Sequence, residues 1–358
     1  MSSLPRCDVV IVGAGITGLV AAEALTRDEA AVLVFEARDR VGGRVYGIPA
    51  GTGAVDLGAT WSWPDDQLTL SLTERLGVPT FSQHLLGDAL FEADHLGPRR
   101  LDGNPVDVPS FRFAGGTHSL AERLAHRLPR GTIRLRDSVS AITVEQDGAR
   151  VDARTSSLRA DQVIVAVPPA LALEQITFTP ELPPRVRAAA EATAVWMGAT
   201  VKAVAVYEHA FWRTERLSGS AISYAGPFRE FHDHSGPDAR PPAIFAFAPS
   251  EHFAGAPPAA MERAFVAQLE RLFGAEASDP RRTHVVDWSR ETYTAPRRPS
   301  ASASTAAFGA PMLRGPLHGR IHLASTETAS AYAGHIEGAV QAGLETAGQV
   351  RDLRTATA

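Results

Sequence analysis

A glycine-rich loop near the start of the chain constrains its fold more than any other feature. Residues 7–12 form a short apolar run rich in β-branched side chains, which predicts a buried strand. The run leads directly into Gly13-Ala14-Gly15-Ile16-Thr17-Gly18, and a helix is predicted from there to about Arg27. A second buried strand is predicted over residues 31–35 and is followed by Glu36. This order of elements predicts a Rossmann unit that binds a dinucleotide.

Each part of this unit has a physical role in holding a dinucleotide. Gly13 allows the tight turn after the strand, and Gly15 lets the backbone approach the pyrophosphate. Gly18 allows the helix to pack closely on the strand. The helix begins at about Ile16, so its free N–H groups and positive dipole end face the phosphates. Glu36 can accept hydrogen bonds from ribose hydroxyls, and its charge would repel the 2′-phosphate of NADP. The unit alone leaves FAD and NAD open.

Composition and charge exclude several classes of protein. The 358 residues are 44% apolar, as in an ordinary globular protein, and the net charge of −5 gives no basic surface for nucleic acid. Cys7 is the only cysteine, which excludes internal disulfides and favours a reducing compartment. The apolar run 8–22 is not a signal peptide, because it begins with an acid and carries the glycine loop. No other stretch approaches the roughly 18 apolar residues of a membrane span. We therefore expect a cytoplasmic protein with no membrane or nucleic-acid partner.

Lysine is nearly absent from the chain. Of 35 basic residues, 34 are arginine, and Lys202 is the single lysine. It interrupts a run of small and β-branched residues, 200–207, that predicts a strand. A buried lysine can lose its proton, which arginine cannot, so this position is a candidate for chemistry. Two simpler explanations are chance survival of one lysine and an edge-strand lysine that discourages aggregation.

The residues after Glu36 distinguish between the dinucleotides. The run Glu36-Ala37-Arg38-Asp39-Arg40-Val41-Gly42-Gly43-Arg44 closely resembles a segment of the flavin-containing amine oxidases, a family that includes monoamine, polyamine and L-amino acid oxidases. In that family the glycines and arginines wrap the FAD pyrophosphate, because glycine admits close approach and arginine offers forked donors. The resemblance implies FAD as the cofactor. The FAD is expected to be non-covalent, because Cys7 lies inside the first strand, away from the family's cysteinyl tether. From this run, the residues implied to bind FAD are Glu36, Ala37, Arg38, Gly42, Gly43 and Arg44.

The likeness continues through six separated segments in the family's order. They are residues 55–61, 113–117, 163–169, 196–212, 325–329 and 334–339. The further cofactor-binding residues that the resemblance implies are Gly58, Ala59, Thr60, Val139, Trp288, Glu327 and Ile336. The backbone N–H of Ile336 is expected at the flavin pyrimidine oxygen, at the start of a helix.

The resemblance implies an α/β fold: a doubly wound Rossmann-type FAD-binding domain with an inserted, shortened substrate domain that contains a mixed β-sheet. The FAD-binding domain is expected to comprise residues 1–79, 113–190 and 291–358, and the substrate domain residues 80–112 and 191–290. About 55 residues separate Gly58 from Gly115, far fewer than in full-length amine oxidases. The substrate cavity is therefore expected to be more open, smaller or completed by a partner chain, and a homodimer is one arrangement of that kind.

Three residues are predicted to act in catalysis. In the family, the lysine equivalent to Lys202 reaches the flavin N5 through a water, and the aromatic equivalent to Trp61 lies by the active site. His335 stands where the family has one ring of an aromatic cage, and its predicted roles are proton acceptor or simple packing. The second ring falls near Arg297 and Arg298, so the two-ring cage is absent. The residues expected to supply replacement surfaces are Trp61, Tyr293 and Tyr332.

The implied reaction is oxidation of a small amine-like substrate. A neutral amine loses a hydride to flavin N5 and becomes an imine, which is hydrolysed to a carbonyl product, and dioxygen is reduced to hydrogen peroxide. The same features allow an L-amino acid oxidase, with Arg297 or Arg298 holding the carboxylate. They also leave open a flavin-dependent C–C desaturase or dehydrogenase of a specialised metabolite, and a flavoprotein that has lost catalysis. No metal is expected, because His232-Asp233-His234 is predicted to lie in a polar loop without a third anchor.

Overall fold

The computed structural model describes residues 4–51, 53–93 and 96–357, which form two main sheets and the helices packed on them. The strands are β1 (Arg6–Val12), β2 (Val32–Phe35), β3 (Gly47–Ala50), β4 (Gly53–Asp56), β5 (Thr80–Ser82), β6 (Asp88–Glu92), β7 (Arg99–Arg100), β8 (Phe111–Phe113), β9 (Ile133–Arg134), β10 (Val139–Glu145), β11 (Gly148–Ala153), β12 (Ser157–Val165), β13 (Thr177–Thr179), β14 (Thr200–Val206), β15 (Leu217–Ser223), β16 (Glu230–Asp233), β17 (Ala243–Pro249), β18 (Arg282–Asp287), β19 (Pro316–Leu317) and β20 (Ile321–Leu323). The α-helices are α1 (Ile16–Arg27), α2 (Gln67–Leu76), α3 (His118–Arg127), α4 (Pro169–Gln175), α5 (Pro184–Ala192), α6 (Phe211–Thr214), α7 (Pro258–Phe273) and α8 (Ile336–Thr357).

The larger sheet has helices on both faces. Its main path is β13-β10-β11-β12-β1-β2-β9, and β20 pairs with β12. The strands β2, β1, β12 and β20 run parallel, as the Rossmann prediction requires. Along β1, Val9 and Ile11 pack in a core with α1, α2, α3 and α8, whereas Val10 and Val12 face a second core with α4 and α5. This alternation confirms the doubly wound α/β prediction.

The smaller sheet carries the lysine strand. Its order is β18-β14-β17-β16-β15-β6-β7, and it is mixed, since β15 and β6 run parallel and the other pairs run antiparallel. Val201, Ala203 and Ala205 face the core beneath α7. Val204 and Val206 face the opposite side, towards the β3–β4 hairpin. The predicted mixed sheet is therefore present.

Lys202 lies inside this sheet rather than at its edge. It pairs with Phe247 on β17 and with Val286 on β18, and only 1% of its surface is exposed. The edge-strand explanation is wrong, because β14 has hydrogen-bonded neighbours on both sides. Within the described residues, no helix combines the length and the hydropathy that crossing a membrane would require.

Candidate active site

An elongated cavity begins at the carboxyl ends of β1 and β2, where ligands bind in doubly wound sheets. It encloses about 1170 Å³ of space free of atoms, part of which is open to solvent. Its walls come from segments that are far apart in sequence: the glycine loop, residues 35–45, residues 166–176 and the start of α8. The predicted residues that line it are Gly13, Gly15, Ile16, Glu36, Ala37, Arg38, Gly42, Gly43, Arg44, Ala59, Val139, His335 and Ile336.

The glycine loop leaves room for a phosphate group. Gly13 has a φ of 104°, and a Cβ built there would lie 2.9 Å from the Ala166 carbonyl oxygen. A Cβ at Gly18 would lie 2.0 Å from the Gly13 oxygen, so the helix could not pack as it does. At Gly15, by contrast, a Cβ would meet nothing within 4 Å, because that position faces the cavity. Since the N-cap residue of α1 is Gly15, which has no side chain to cap the helix, the first N–H groups of α1 are available to an anion.

Glu36 is fixed at one end of the cavity. It is buried, and its carboxylate accepts hydrogen bonds from the Ala14 N–H at 2.8 Å and the Arg38 N–H at 2.9 Å. Carboxylate oxygens have further acceptor capacity, so the group can also receive ribose hydroxyls. Val139, at the start of β10, lines the same cavity.

The predicted run Arg40-Val41-Gly42-Gly43-Arg44 is anchored at two points. Gly42 donates its N–H to the Ala14 carbonyl at 2.8 Å, which ties the run to the glycine loop. Arg44 forms two hydrogen bonds to the fully buried carboxylate of Glu327, at 2.5 and 3.0 Å. A bidentate pair of this kind fixes the guanidinium plane, and it joins the run to the segment before α8.

Seven predicted residues lie outside the cavity lining: Gly18, Gly58, Thr60, Trp61, Lys202, Trp288 and Glu327. Two of them hold the segment beside the cavity, which includes the lining residue Ala59. Trp288 is buried and donates from its indole N–H to the Leu57 carbonyl at 2.8 Å. Lys202 donates from Nζ to the Gly58 carbonyl at 2.5 Å.

The surroundings of Lys202 are apolar and aromatic. Its Nζ lies 5.0 Å from the centre of the Phe247 ring, 5.6 Å from that of Trp196 and 5.8 Å from that of Phe245. Burial lowers the pKa of Lys202 to about 7, and the carboxylate of Asp56 opposes part of this shift. The Lys202 side chain can therefore exchange between its ammonium and neutral amine forms near neutral pH.

Trp61 belongs to the same aromatic cluster. Its ring lies 5.5 Å from Phe245 and 5.9 Å from Phe247, and its indole N–H donates to Gln83 Oε1 at 3.1 Å. Two of the three rings around Lys202, Phe245 and Phe247, therefore also contact Trp61.

The ring that contacts His335 is Trp63, which the sequence motifs did not single out. Their centroids are 5.1 Å apart and their planes are inclined by 38°, and His335 is exposed where it borders the cavity. Tyr293, expected as a replacement surface, lines the cavity, and the Arg38 guanidinium lies 5.7 Å from the centre of its ring. Tyr332 is exposed on the loop before α8 and does not line the cavity.

The sequence also left several cavity-lining residues unassigned. Among them are Ser138, Pro168, Leu171, Met197, Thr294 and Thr326. Pro168 and Met197 belong to segments whose resemblance was recognised, so those segments carried a signal. Nothing in the local pattern around Leu171 or Thr294 indicates a ligand.

The prediction of a polar loop at 232–234 is wrong. His232 and Asp233 belong to β16, and all three side chains are buried. Asp233 accepts hydrogen bonds from Trp212 and Arg213, each at 2.8 Å, and His234 accepts one from the Asp56 N–H at 2.9 Å. These residues therefore have structural partners. In the part of the chain that the structure describes, no group of three His, Cys, Asp or Glu residues could hold a metal ion.

Comparison with known proteins agrees with this geometry. The family model for flavin containing amine oxidoreductases matches residues 107–351, and one for NAD(P)-binding Rossmann-like domains matches residues 11–76. The Mycobacterium tuberculosis protein AofH, named as a flavin-containing monoamine oxidase, is 30% identical over 97% of this chain and 97% of its own. This chain belongs to the flavin-containing amine oxidoreductase family. It is therefore an FAD-dependent oxidoreductase of the amine oxidase type.

More distant relatives share the fold. Amine oxidase A of Canis lupus familiaris is 26% identical over 96% of this chain and 84% of its own. Cyclohexylamine oxidase from Brevibacterium oxydans has a TM-score of 0.84 at 23% identity, covering 97% of this chain and 99% of the other. A putrescine oxidase bound to putrescine also has a TM-score of 0.84, at 22% identity and with the same coverage.

This family member is short. Its alignment with AofH has 455 positions, whereas the chain has 358 residues, so at least 97 positions of the alignment are gaps in this chain. The fold and the cavity are nevertheless complete enough to fit FAD: the open space at Gly15, the uncapped start of α1 and the fixed carboxylate of Glu36 each match one part of the cofactor.

Gly15→Ala tests this fit. The substitution is sterically tolerated by the protein alone, but its methyl group enters the space that the pyrophosphate would need. We expect the FAD dissociation constant, measured by titration of apoprotein, to rise at least about tenfold, equivalent to about 1.4 kcal/mol. Gly348→Ala on α8 is the control, since it lies outside the cavity lining and should leave the constant unchanged. Equal affinities in all three proteins would contradict the assignment.

Lys202→Met tests the depressed pKa of the lysine. Between about pH 7 and the ordinary lysine pKa of 10.5, the unfolded chain holds a proton that the folded apoprotein does not. Stability therefore rises with pH across this window, by up to about 1.4 kcal/mol per pH unit. The free energy of unfolding of the apoprotein is measured with urea from pH 7 to 10. In the variant, the part of its rise with pH that comes from Lys202 should be absent. If the free energy of unfolding changes with pH equally in the two proteins, Lys202 keeps an ordinary pKa.

Proposed function

We propose that this protein oxidises a small neutral amine at the carbon that bears the nitrogen, with dioxygen as the final electron acceptor. The observation that carries the proposal is the chain's single lysine, buried beside the flavin cavity with a pKa of about 7. Bound FAD would supply the chemistry by accepting a hydride from the amine, which becomes an imine that water hydrolyses. The electrons would then pass to dioxygen, which is reduced to hydrogen peroxide.

Lys202 is proposed to hold or release a proton at Nζ during this cycle. Its hydrogen bond to the Gly58 carbonyl directs the ammonium at the segment that includes the cavity residue Ala59. Because the surrounding rings exclude water, the charge on Nζ acts with little screening. A group whose pKa is close to ambient pH is suited to proton exchange.

The remaining assigned residues are proposed to bind the cofactor or face the substrate. The glycine loop and α1 would hold the pyrophosphate, Glu36 the ribose, and the N–H of Ile336 the flavin pyrimidine. Trp61 and His335 would bound the space for the amine. The aromatic character of this region suits an apolar amine in its uncharged form.

An amino acid substrate is less well supported. It needs a guanidinium near the cavity, other than those of Arg38 and Arg44 that are assigned to FAD, to bind its carboxylate. Arg297 and Arg298 are exposed, and neither lines the cavity. The backbone N–H of Arg297 donates to Glu174, which places this segment against α4.

A cytoplasmic location and a homodimer are also proposed. The single cysteine favours a reducing compartment. A partner chain would cover the substrate side that the shortened chain leaves open. Light scattering on a size-exclusion column distinguishes the dimer, at twice 38.1 kDa, from the monomer.

Anaerobic mixing of the FAD-loaded protein with amines, polyamines and amino acids tests the function. We expect one class of amine to bleach the visible flavin band, and we expect admitted air to restore the band with formation of hydrogen peroxide. Amino acids should bleach the band more slowly than the matching amines that lack the carboxylate. A flavin that no amine reduces would contradict the proposal and favour the C–C desaturase.

A further inference from the structure

Glu337 lies at the start of α8, but its carboxylate binds the start of a different helix, α2. It lies in the first turn of α8, two residues after His335, and it is buried. Its carboxylate crosses to another helix: Oε1 accepts from the Leu68 N–H at 2.9 Å, and Oε2 accepts from the N–H and the hydroxyl of Thr69, both at 2.7 Å. All three donors belong to the first turn of α2. One carboxylate therefore lies at the N-termini of both helices, where a negative charge is stabilised.

The residue that would ordinarily cap α2 is engaged elsewhere. Asp66 precedes the helix, and its side chain makes no cap hydrogen bond to it. Its carboxylate instead accepts from the Trp63 N–H at 2.9 Å and from the Ser62 hydroxyl at 3.1 Å. Two buried carboxylates thus have separate roles, since Asp66 fixes the backbone at Trp63 and Glu337 fixes the start of α2 to the start of α8.

These contacts determine where two aromatic rings meet. Trp63 lies on the segment held by Asp66, and His335 lies immediately before α8. Their rings are 5.1 Å apart, and His335 borders the flavin cavity. A shift of α2 relative to α8 would separate the rings, because each ring is fixed to one of these two helices.

We propose that Trp63 and His335 together form a wall that determines amine specificity, and that Glu337 is the positioning residue that holds the two rings in register. This inference rests on the proposed function, since His335 borders the cavity beside which an amine would be oxidised and Trp63 packs against His335. Trp61 packs against Phe245 and Phe247 of the sheet that carries Lys202, whereas Trp63 packs against His335, immediately before α8.

The chain offers a matched control at the opposite end of α2. Glu23 is also a buried carboxylate, and it accepts from Arg75 in the last turn of α2, at 2.6 and 2.8 Å. Glu23→Gln therefore weakens the attachment of the same helix without touching Trp63 or His335. An effect caused by general loosening of α2 should appear in both variants.

The experiment compares Glu337→Gln, Trp63→Ala, the double variant and Glu23→Gln as FAD-loaded proteins. In Glu337→Gln, the amide keeps one acceptor oxygen, but its NH2 opposes an N–H donor and the negative charge is removed, so the link between α2 and α8 is weakened. We expect Glu337→Gln and Trp63→Ala each to raise KM for the amine about tenfold. The KM of the double variant should be no higher than that of either single variant, because Glu337 acts through Trp63. Glu23→Gln should lower the melting temperature but leave KM unchanged. Additive effects of the two substitutions, or a KM for Glu23→Gln as high as that for Glu337→Gln, would overturn the proposal.

A readout that needs no turnover separates this inference from the proposed function. The visible circular dichroism of bound FAD reports the asymmetry of its surroundings. Glu337→Gln and Trp63→Ala should change this spectrum in the same way, and Glu23→Gln should not. If no amine reduces the wild-type flavin, the proposed function fails, and the dichroism alone then decides the inference. Spectra unchanged in both Glu337→Gln and Trp63→Ala would contradict it.

Discussion

The hydrogen bond from Lys202 to the Gly58 carbonyl joins the two halves of the active site. Lys202 belongs to an interior strand of the smaller sheet, and Gly58 belongs to the segment that follows β4 beside the cavity. Trp288 reinforces the junction through the Leu57 carbonyl. A buried ammonium is costly, and burial among aromatic rings lowers the pKa of Lys202 although it has a carbonyl acceptor. Lys202 therefore joins the smaller sheet to this segment and places a group with a pKa of about 7 beside the cofactor cavity.

Much of this arrangement could be predicted from local sequence. The strand–loop–helix unit has nearly the predicted bounds, because the glycine spacing and the apolar runs are short-range signals. The near absence of lysine from the rest of the chain also indicates, from sequence alone, that Lys202 is a candidate for chemistry. The site's walls were harder to predict. Trp63 meets His335 where α2 packs against α8, and the contacts of Glu337 that join the two helices span more than 260 residues of sequence.

The differences between expected and observed positions have the same physical origin, which is contact between residues that are far apart in sequence. Tyr293 was expected near the substrate, yet Arg38 stacks on it at the Glu36 side of the cavity. The run His232-Asp233-His234 has the polarity of a loop, but β15 and β17 pair with β16 on either side and its polar groups find buried partners. Sequence polarity indicates exposure only when no distant residue supplies a hydrogen bond. The boundaries drawn for the two domains remain predictions.

Lys202 can be tested without knowing the substrate. The FAD-loaded protein is reduced with light under anaerobic conditions, mixed rapidly with dioxygen, and followed at the visible flavin band. The proton exchange assigned to Lys202 predicts that Lys202→Met binds FAD as the wild type does but reoxidises at least about tenfold more slowly, equivalent to about 1.4 kcal/mol in the barrier. Equal reoxidation rates would show that the buried lysine is structural and would contradict its proposed role in the reaction.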